Sequence, residues 1–224
     1  MKLEPINQNE TIRYLGYGNH TPDENIMSIM SECEKTLTDK INPAFVYKIF
    51  DKEYTPEGNI RPAGTNIIFY GNDIREHLKE SEKILMMCAT LTSETDKMIR
   101  LAGITDKAKS LVLDAMSCAA IEQVCDRVCD MIHDEYPQYF QTKRFSPGYG
   151  DFPLDTQESF LRILDASKRI GVTLNDTNLM IPMKTVTAVA GLSLHELPEK
   201  KTGCCCCSRN KTCEFRKAGN TCGY

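Results

Sequence analysis

No stretch of this 224-residue sequence approaches the ~20 consecutive apolar residues of a membrane-spanning helix. The amino terminus, Met1-Lys2-Leu3-Glu4-Pro5, has no apolar core of the kind a secretory signal carries. The expected location is therefore the cytoplasm, with reduced thiols. Several catalytic engines are missing too. No G-x-G-x-x-G follows a strand-like run and no G-x-x-x-x-G-K occurs, so dinucleotide and phosphate-loop chemistry have no support. None of the four histidines, His20, His77, His133 and His195, lies in an H-E-x-x-H pattern, and each reads as a surface or structural residue. Negative charge outweighs positive in the body. Residues 199–224 hold six basic residues against two acidic ones, which leaves a net of −8 on residues 1–198 of a chain whose total is −4. A body that acidic argues against general nucleic-acid binding, because phosphate neutralisation needs a basic face.

Cysteine, by contrast, is abundant, and its placement is uneven. Six of the eleven cysteines fall in the last 21 residues, and Cys33, Cys88, Cys118, Cys125 and Cys129 are spread through the rest. A chain of this length buries an adequate core without disulfide staples. The division suggests a body, residues 1–198, followed by a basic cysteine-rich tail, residues 199–224.

The body mixes helical and strand patterns. Thr21-Pro22-Asp23-Glu24 is a helix start, and Ile26, Ile29, Met30, Cys33 and Leu37 continue it at helical spacing, predicting an amphipathic helix over residues 22 to about 39. Strands are expected at Ala44–Phe50, Asn66–Tyr70, Ile84–Thr90, Ile170–Leu174 and Lys184–Ala190. Asn72 should cap a short helix carrying Ile74 and Leu78. A helix from Thr92 is expected to break at Gly103, and a long helix should then run from Asp106 to about Asp134 with the stripe Leu111, Ala115, Cys118, Ile121, Cys125, Val128 and Ile132. Its small-residue middle would let another element approach closely. Asp155 with Glu158 opens a later helix whose face is Phe160, Leu161 and Leu164. Helices interspersed with hairpin-like strands predict an α+β fold with helices packed on a largely antiparallel twisted sheet. Cys118, Cys125 and Cys129 lie near one face of the long helix and read as small buried hydrophobes, although Cys125 and Cys129 also have metal-compatible i,i+4 spacing.

The most unusual stretch of the body is Arg144-Phe145-Ser146-Pro147-Gly148-Tyr149-Gly150-Asp151. Pro147-Gly148 demands a tight turn, and Gly150 is a second point where backbone can approach a neighbour without a Cβ. Arg144 offers a planar fork for a carboxylate, and the face of Tyr149 can attract a cation. Together they suit a ligand with both a carboxylate and a positive centre. The alternative is a surface turn in which Arg144 pairs with a nearby acid.

The tail segment Gly203–Arg216 carries C-x-x-C as Cys204 and Cys207, then Cys213, with Cys222 as a fourth candidate ligand. Soft thiolates at this spacing suit zinc or an iron–sulfur cluster. The alternative is a set of reactive thiols with no fixed ligand arrangement.

Arg144-x-x-Pro147-Gly148-Tyr149 resembles the R-x-x-P-G-Y signature of the S-adenosylmethionine-binding reactivation domain of cobalamin-dependent methionine synthase. The order of elements is similar as well: a long helix, the signature loop, a short helix, then Ile170–Leu174 and Met180–Ala188. Residues 10–195 resemble a stand-alone version of that domain. The resemblance implies binding of S-adenosylmethionine by Arg144, Ser146, Pro147, Gly148, Tyr149 and Gly150. It also implies a cobalamin-bearing methionine synthase chain as partner and an electron donor protein for reductive methylation of inactive cob(II)alamin. The chain departs from the pattern in having Gly150 where the family has proline, and in lacking counterparts after Gly191 of the tyrosines that face cobalamin. The family's acidic partner for the ligand amino group has no aligned counterpart. No cobalamin, folate or homocysteine module fits in this length, so an accessory activator is expected rather than a complete enzyme. Two other readings are a metal or iron–sulfur redox protein built on the tail, and an activator of a different corrinoid methyltransferase.

Overall fold

A computed structural model describes residues 1–18, 20–197 and 211–217. Its centre is a five-stranded antiparallel sheet in the order β2-β1-β3-β7-β4. The strands are β1 (Ala44–Tyr54), β2 (Ile60–Pro62), β3 (Lys83–Thr90), β4 (Phe140–Gln141) and β7 (Thr185–Ser193). A separate ribbon pairs β5 (Thr173–Leu174) with β6 (Met180–Ile181). The helices are α1 (Gln8–Tyr14), α2 (Glu24–Lys40), α3 (Asn72–His77), α4 (Thr92–Thr105), α5 (Lys107–Glu135), α6 (Thr156–Leu164), α7 (Ala166–Ile170) and the turn α8 (Glu214–Lys217).

Both faces of the sheet are covered, which explains why β3 is apolar along nearly its whole length instead of alternating with polar residues. Leu85, Met87 and Ala89 point into one core with α1, α2, α4 and α5, while Ile84, Met86 and Cys88 point into a second core with α3, α6 and α7. β7 divides its side chains in the same way. Ala188, Ala190 and Leu192 meet α5, and Val189 meets the other core. Ala115, Ala119 and Ala120 on α5 are buried together with Ala188 and Ala190 on β7, so small residues on both sides bring the long helix close to the sheet. The fold is α+β, as the sequence pattern predicts, and Cys33, Cys88 and Cys125 are fully buried packing residues.

Local departures from expectation have physical causes. Asn66–Tyr70 does not form a strand: β2 occupies the edge of β1, and only Phe69 makes a bridge, to Ile60. Gly103 does not break α4. It lies inside the helix, where the missing Cβ makes room for Ser110 of α5, whose hydroxyl donates to the Ile99 carbonyl at 3.0 Å. The break comes at Asp106, whose carboxylate caps α5 by accepting from Lys109 N–H at 3.0 Å. Leu111 leaves the expected stripe and is 67% exposed, because this part of α5 turns Val112, Leu113 and Met116 toward the core. Ile170 ends α7 instead of beginning a strand, with Gly171 at φ +69° taking the left-handed position that closes a helix. Asn72 is the first residue of α3 but provides no side-chain cap. Among the described residues, no helix is long and apolar enough to cross a membrane.

Candidate ligand-binding site

The Arg144 segment is laid against the outer edge of β7. β4 pairs with Ser193 and Leu192, Thr142 N–H donates to the Gly191 carbonyl at 2.9 Å, and Phe145 and Val189 exchange two backbone hydrogen bonds of 2.8 Å. Pairing stops there. Among the described residues, no strand covers the edge of β7 from Thr185 to Ala188. Because side chains alternate along an extended segment, Phe145 and Arg144 leave on opposite faces. Phe145 stacks on His77 and Phe152 at centroid distances of 5.1 and 6.2 Å, on the α3 side. Arg144 reaches α5.

Beyond Phe145 the chain turns sharply. Tyr149 N–H donates to the Ser146 carbonyl at 3.1 Å, with buried Pro147 at the second position and Gly148 at φ +91° at the third, the pattern of a type II turn. Two further bonds, Gly148 N–H to the Phe152 carbonyl at 2.8 Å and Phe152 N–H to the Tyr149 carbonyl at 3.0 Å, close the loop. The loop is then fastened to α3 by an exchange of acidic side chains. The Asp151 carboxylate accepts from Asn72 N–H at 2.7 Å and Asp73 N–H at 2.9 Å, and Asp151 N–H donates to Asp73 Oδ2 at 3.3 Å. Asp151 is thus the cap that Asn72 was expected to be. Gly150, at φ +53°, is required by the same contact, since a Cβ there would run into the Asp73 carboxylate. The neighbour that approaches Gly150 is therefore part of this protein.

The two backbone donors, first Asp73 and then Asn72, hold the Asp151 carboxyl below its ordinary value of 3.8. A carboxyl with a depressed folded-state value contributes stability above its unfolded value and loses it as pH falls through the folded one. Thermal midpoints of wild type and Asp151→Asn should therefore differ at neutral pH and converge below about pH 4. Parallel curves across that range would show that the cap carries no charge-dependent stability.

Arg144 sits between two acids of α5. Nη2 meets Glu122 Oε2 at 2.8 Å and Nη1 meets Asp126 Oδ1 at 2.5 Å, with the arginine side chain 20% exposed and the acids 38% and 67%. Nη1 also lies 4.0 Å from Cys129 Sγ. Burial opposes the charge on Arg144, but the electronegative groups around it more than offset that effect, so the guanidinium stays protonated. Burial pushes the Cys125 thiol up as well, leaving it a neutral wall of the site. Arg144 is thus paired with acids of this protein beside an exposed turn, as the surface-turn alternative has it, while its own side chain is half-buried and its segment is tied to the sheet. Ser146 is half-buried, Pro147 is buried, and Gly148, Tyr149 and Gly150 are exposed.

Glu122 and Asp126 were not identified from the sequence. The signal available was two acids at i,i+4 flanking the apolar stripe of α5, a spacing that places them on one face. Two clefts of about 620 and 570 Å³ lie elsewhere, one around Ser81, Ser193 and His195 and one between α6, α7 and β5. Arg144 lines neither cleft; it lies on a surface ledge beside the exposed residues Gly148, Tyr149 and Gly150.

The fold has a solved counterpart. A structure described as the MetH reactivation domain bound to AdoHcy superposes with a TM-score of 0.65 over 88% of this chain and 75% of that one, at 13% sequence identity. The two folds are similar. No protein-family model matches the sequence. No curated protein matches it either. The likeness to the MetH reactivation domain therefore rests on shape.

Of the four cysteines expected to hold a metal, Cys204, Cys207 and Cys222 lie outside the described residues, and Cys213 precedes the α8 turn, its carbonyl accepting from Lys217 N–H at 3.1 Å. Among the described residues, no group of three His, Cys, Asp or Glu side chains could hold a metal ion.

Proposed function

We propose that this chain binds S-adenosylmethionine on the Arg144 ledge and presents its methyl group to the cobalamin of a partner methyltransferase, methionine synthase being the best candidate. The observation that carries this reading is the position of Arg144: held over α5 by the pinned Phe145, within reach of two carboxylates, in a fold similar to a domain whose structure contains AdoHcy. The methionine end of the ligand is a zwitterion. Its carboxylate matches the guanidinium fork, and its ammonium matches Glu122 or Asp126 once the ligand has taken a place in the existing ion pairs. The exposed turn at Gly148–Tyr149 leaves room for the nucleoside.

A sulfonium methyl is already activated, so the chain need supply no acid or base to the transfer. Its contribution is position, worth on the order of 7 kcal/mol or more in favourable cases. An open ledge suits this role better than a closed pocket, since the acceptor must reach the methyl from a second macromolecule. Cobalamin and the electron needed to reduce it belong to partners in this reading, and an electron donor protein completes the cycle.

Calorimetric titration of the full-length protein should show one-site binding of S-adenosylmethionine and of S-adenosylhomocysteine. Adenosine alone should bind much more weakly, because it lacks the zwitterion. Equal binding of all three, or of none, would remove the basis for the proposal.

A further inference from the structure

A second charged cluster lies on the same face of α5, toward its amino terminus. Asp114, Cys118 and Glu122 follow one another at i,i+4 spacing, so they line one side of the helix. Lys184 enters from the start of β7, its side chain only 11% exposed. Its Nζ meets Asp114 Oδ1 at 2.7 Å and donates to Cys118 Sγ at 3.2 Å. Burial opposes the charge on Lys184, but Asp114 and Cys118 more than offset it, so the group is an ammonium. Tyr14 of α1 lies within electrostatic reach of both Cys118 and Glu122. The ligand-binding proposal makes no use of the Lys184–Cys118 contact.

The other cysteines of the body stand in different surroundings. Cys33, Cys88 and Cys125 are fully buried, and burial pushes their thiols up, to about 11 for Cys33 and about 12 for Cys88. Cys129 is raised by burial too, with Arg144 only partly compensating. Cys118 is partly exposed and has an ammonium N–H directed at its sulfur. An adjacent lysine cation and partial exposure are the conditions that make a cysteine thiolate available as a nucleophile.

We propose that Cys118 is a site of reversible oxidation by hydroperoxides, activated by Lys184. In the reaction the thiolate sulfur attacks one oxygen of the hydroperoxide, the O–O bond breaks and an S–O bond forms. Sulfur is oxidised by two electrons to the sulfenic acid, and the hydroperoxide is reduced to water or an alcohol, whose oxygen takes its proton from solvent. Cys125 and Cys129 are seven or more residues along α5 from Cys118, about 10 Å or more of helix rise. That exceeds the reach of a disulfide, so neither of these two resolves the sulfenic acid, and an external thiol reduces it. The site is independent of whether the ledge binds S-adenosylmethionine.

The test exposes the full-length protein to hydrogen peroxide in the presence of a 1,3-dione that traps sulfenic acids, and follows each cysteine-containing peptide by mass spectrometry. The Cys118 peptide should label at least about tenfold faster than those of Cys33, Cys88 and Cys125. Lys184→Met should slow labelling at Cys118 about tenfold, and Lys184→Arg should retain most of the rate. Asp114→Asn removes the competitor for the ammonium without altering Lys184 and should speed labelling. Labelling of Cys118 no faster than the buried thiols would overturn the proposal. So would an unchanged rate in Lys184→Met with a native circular dichroism spectrum, or in Asp114→Asn.

Discussion

Arg144→Ala should lose S-adenosylmethionine affinity by about 30-fold or more while the protein stays folded. Truncating one partner of a hydrogen-bonded, partly buried charge pair costs about 2–5 kcal/mol of binding, and the lower figure is already a factor of about 30. The fold should tolerate the change. Arg144 joins the sheet through its neighbours' backbone, and its two acidic partners are exposed enough for water to take over their solvation. Arg144→Lys should recover only part of the affinity, because an ammonium cannot present the two parallel N–H groups of the guanidinium fork. Glu122→Gln and Asp126→Asn would separate the roles of the two acids: the one that pairs with the ligand ammonium should weaken binding, and the other should leave it unchanged or improve it by releasing Arg144. Calorimetry measures all four variants. Wild-type affinity in Arg144→Ala would place any ligand elsewhere on the molecule.

Phe152→Ala should be the most destabilising change in the signature loop, by about 3–5 kcal/mol. Phe152 is 1% exposed, meets Phe69 edge-on at a centroid distance of 5.3 Å and stacks on Phe145. Its backbone also closes the loop through the bonds to Gly148 and Tyr149. A cavity at this point would therefore loosen the turn that follows Arg144 as well as the core beneath it. For a domain of this size the loss corresponds to about 6–20 °C in melting temperature, and ligand binding should fall with it. Phe160→Ala is the control: Phe160 is fully buried in the same core but belongs to α6. Stability should fall by a similar amount there, with ligand affinity below the melting transition preserved. Equal loss of affinity in both variants would mean that the loop has no special dependence on Phe152.

The sequence was most informative where a pattern is local. The stripe Met30, Cys33 and Leu37 on α2, the continuous apolar run of β3 and the Pro147-Gly148 turn all depend on neighbours within a few residues, and each occurs as read. Readings failed where a distant residue decided the outcome. Gly103 looks like a helix break until Ser110 is packed against it, and Asn72 looks like a cap until Asp151, 79 residues away along the chain, takes that place. Gly150 looks like an opening for a ligand, but it is filled by Asp73.

By itself, the sequence determined the α+β class, the uneven placement of charge and cysteine along the chain, and the tight turn that follows Arg144. These follow from periodicity, charge and backbone restriction, which act over short stretches of chain. Only the tertiary structure decided what Arg144 faces. Glu122 and Asp126 come within hydrogen-bond range because the Phe145–Val189 pair fixes the loop on β7 and the small residues of α5 and β7 let that helix lie close to the sheet. The same close packing brings Lys184 to Cys118. A contact between residues 22 or 66 positions apart has no periodic signature; it follows from where the core places two elements and from which way their side chains point.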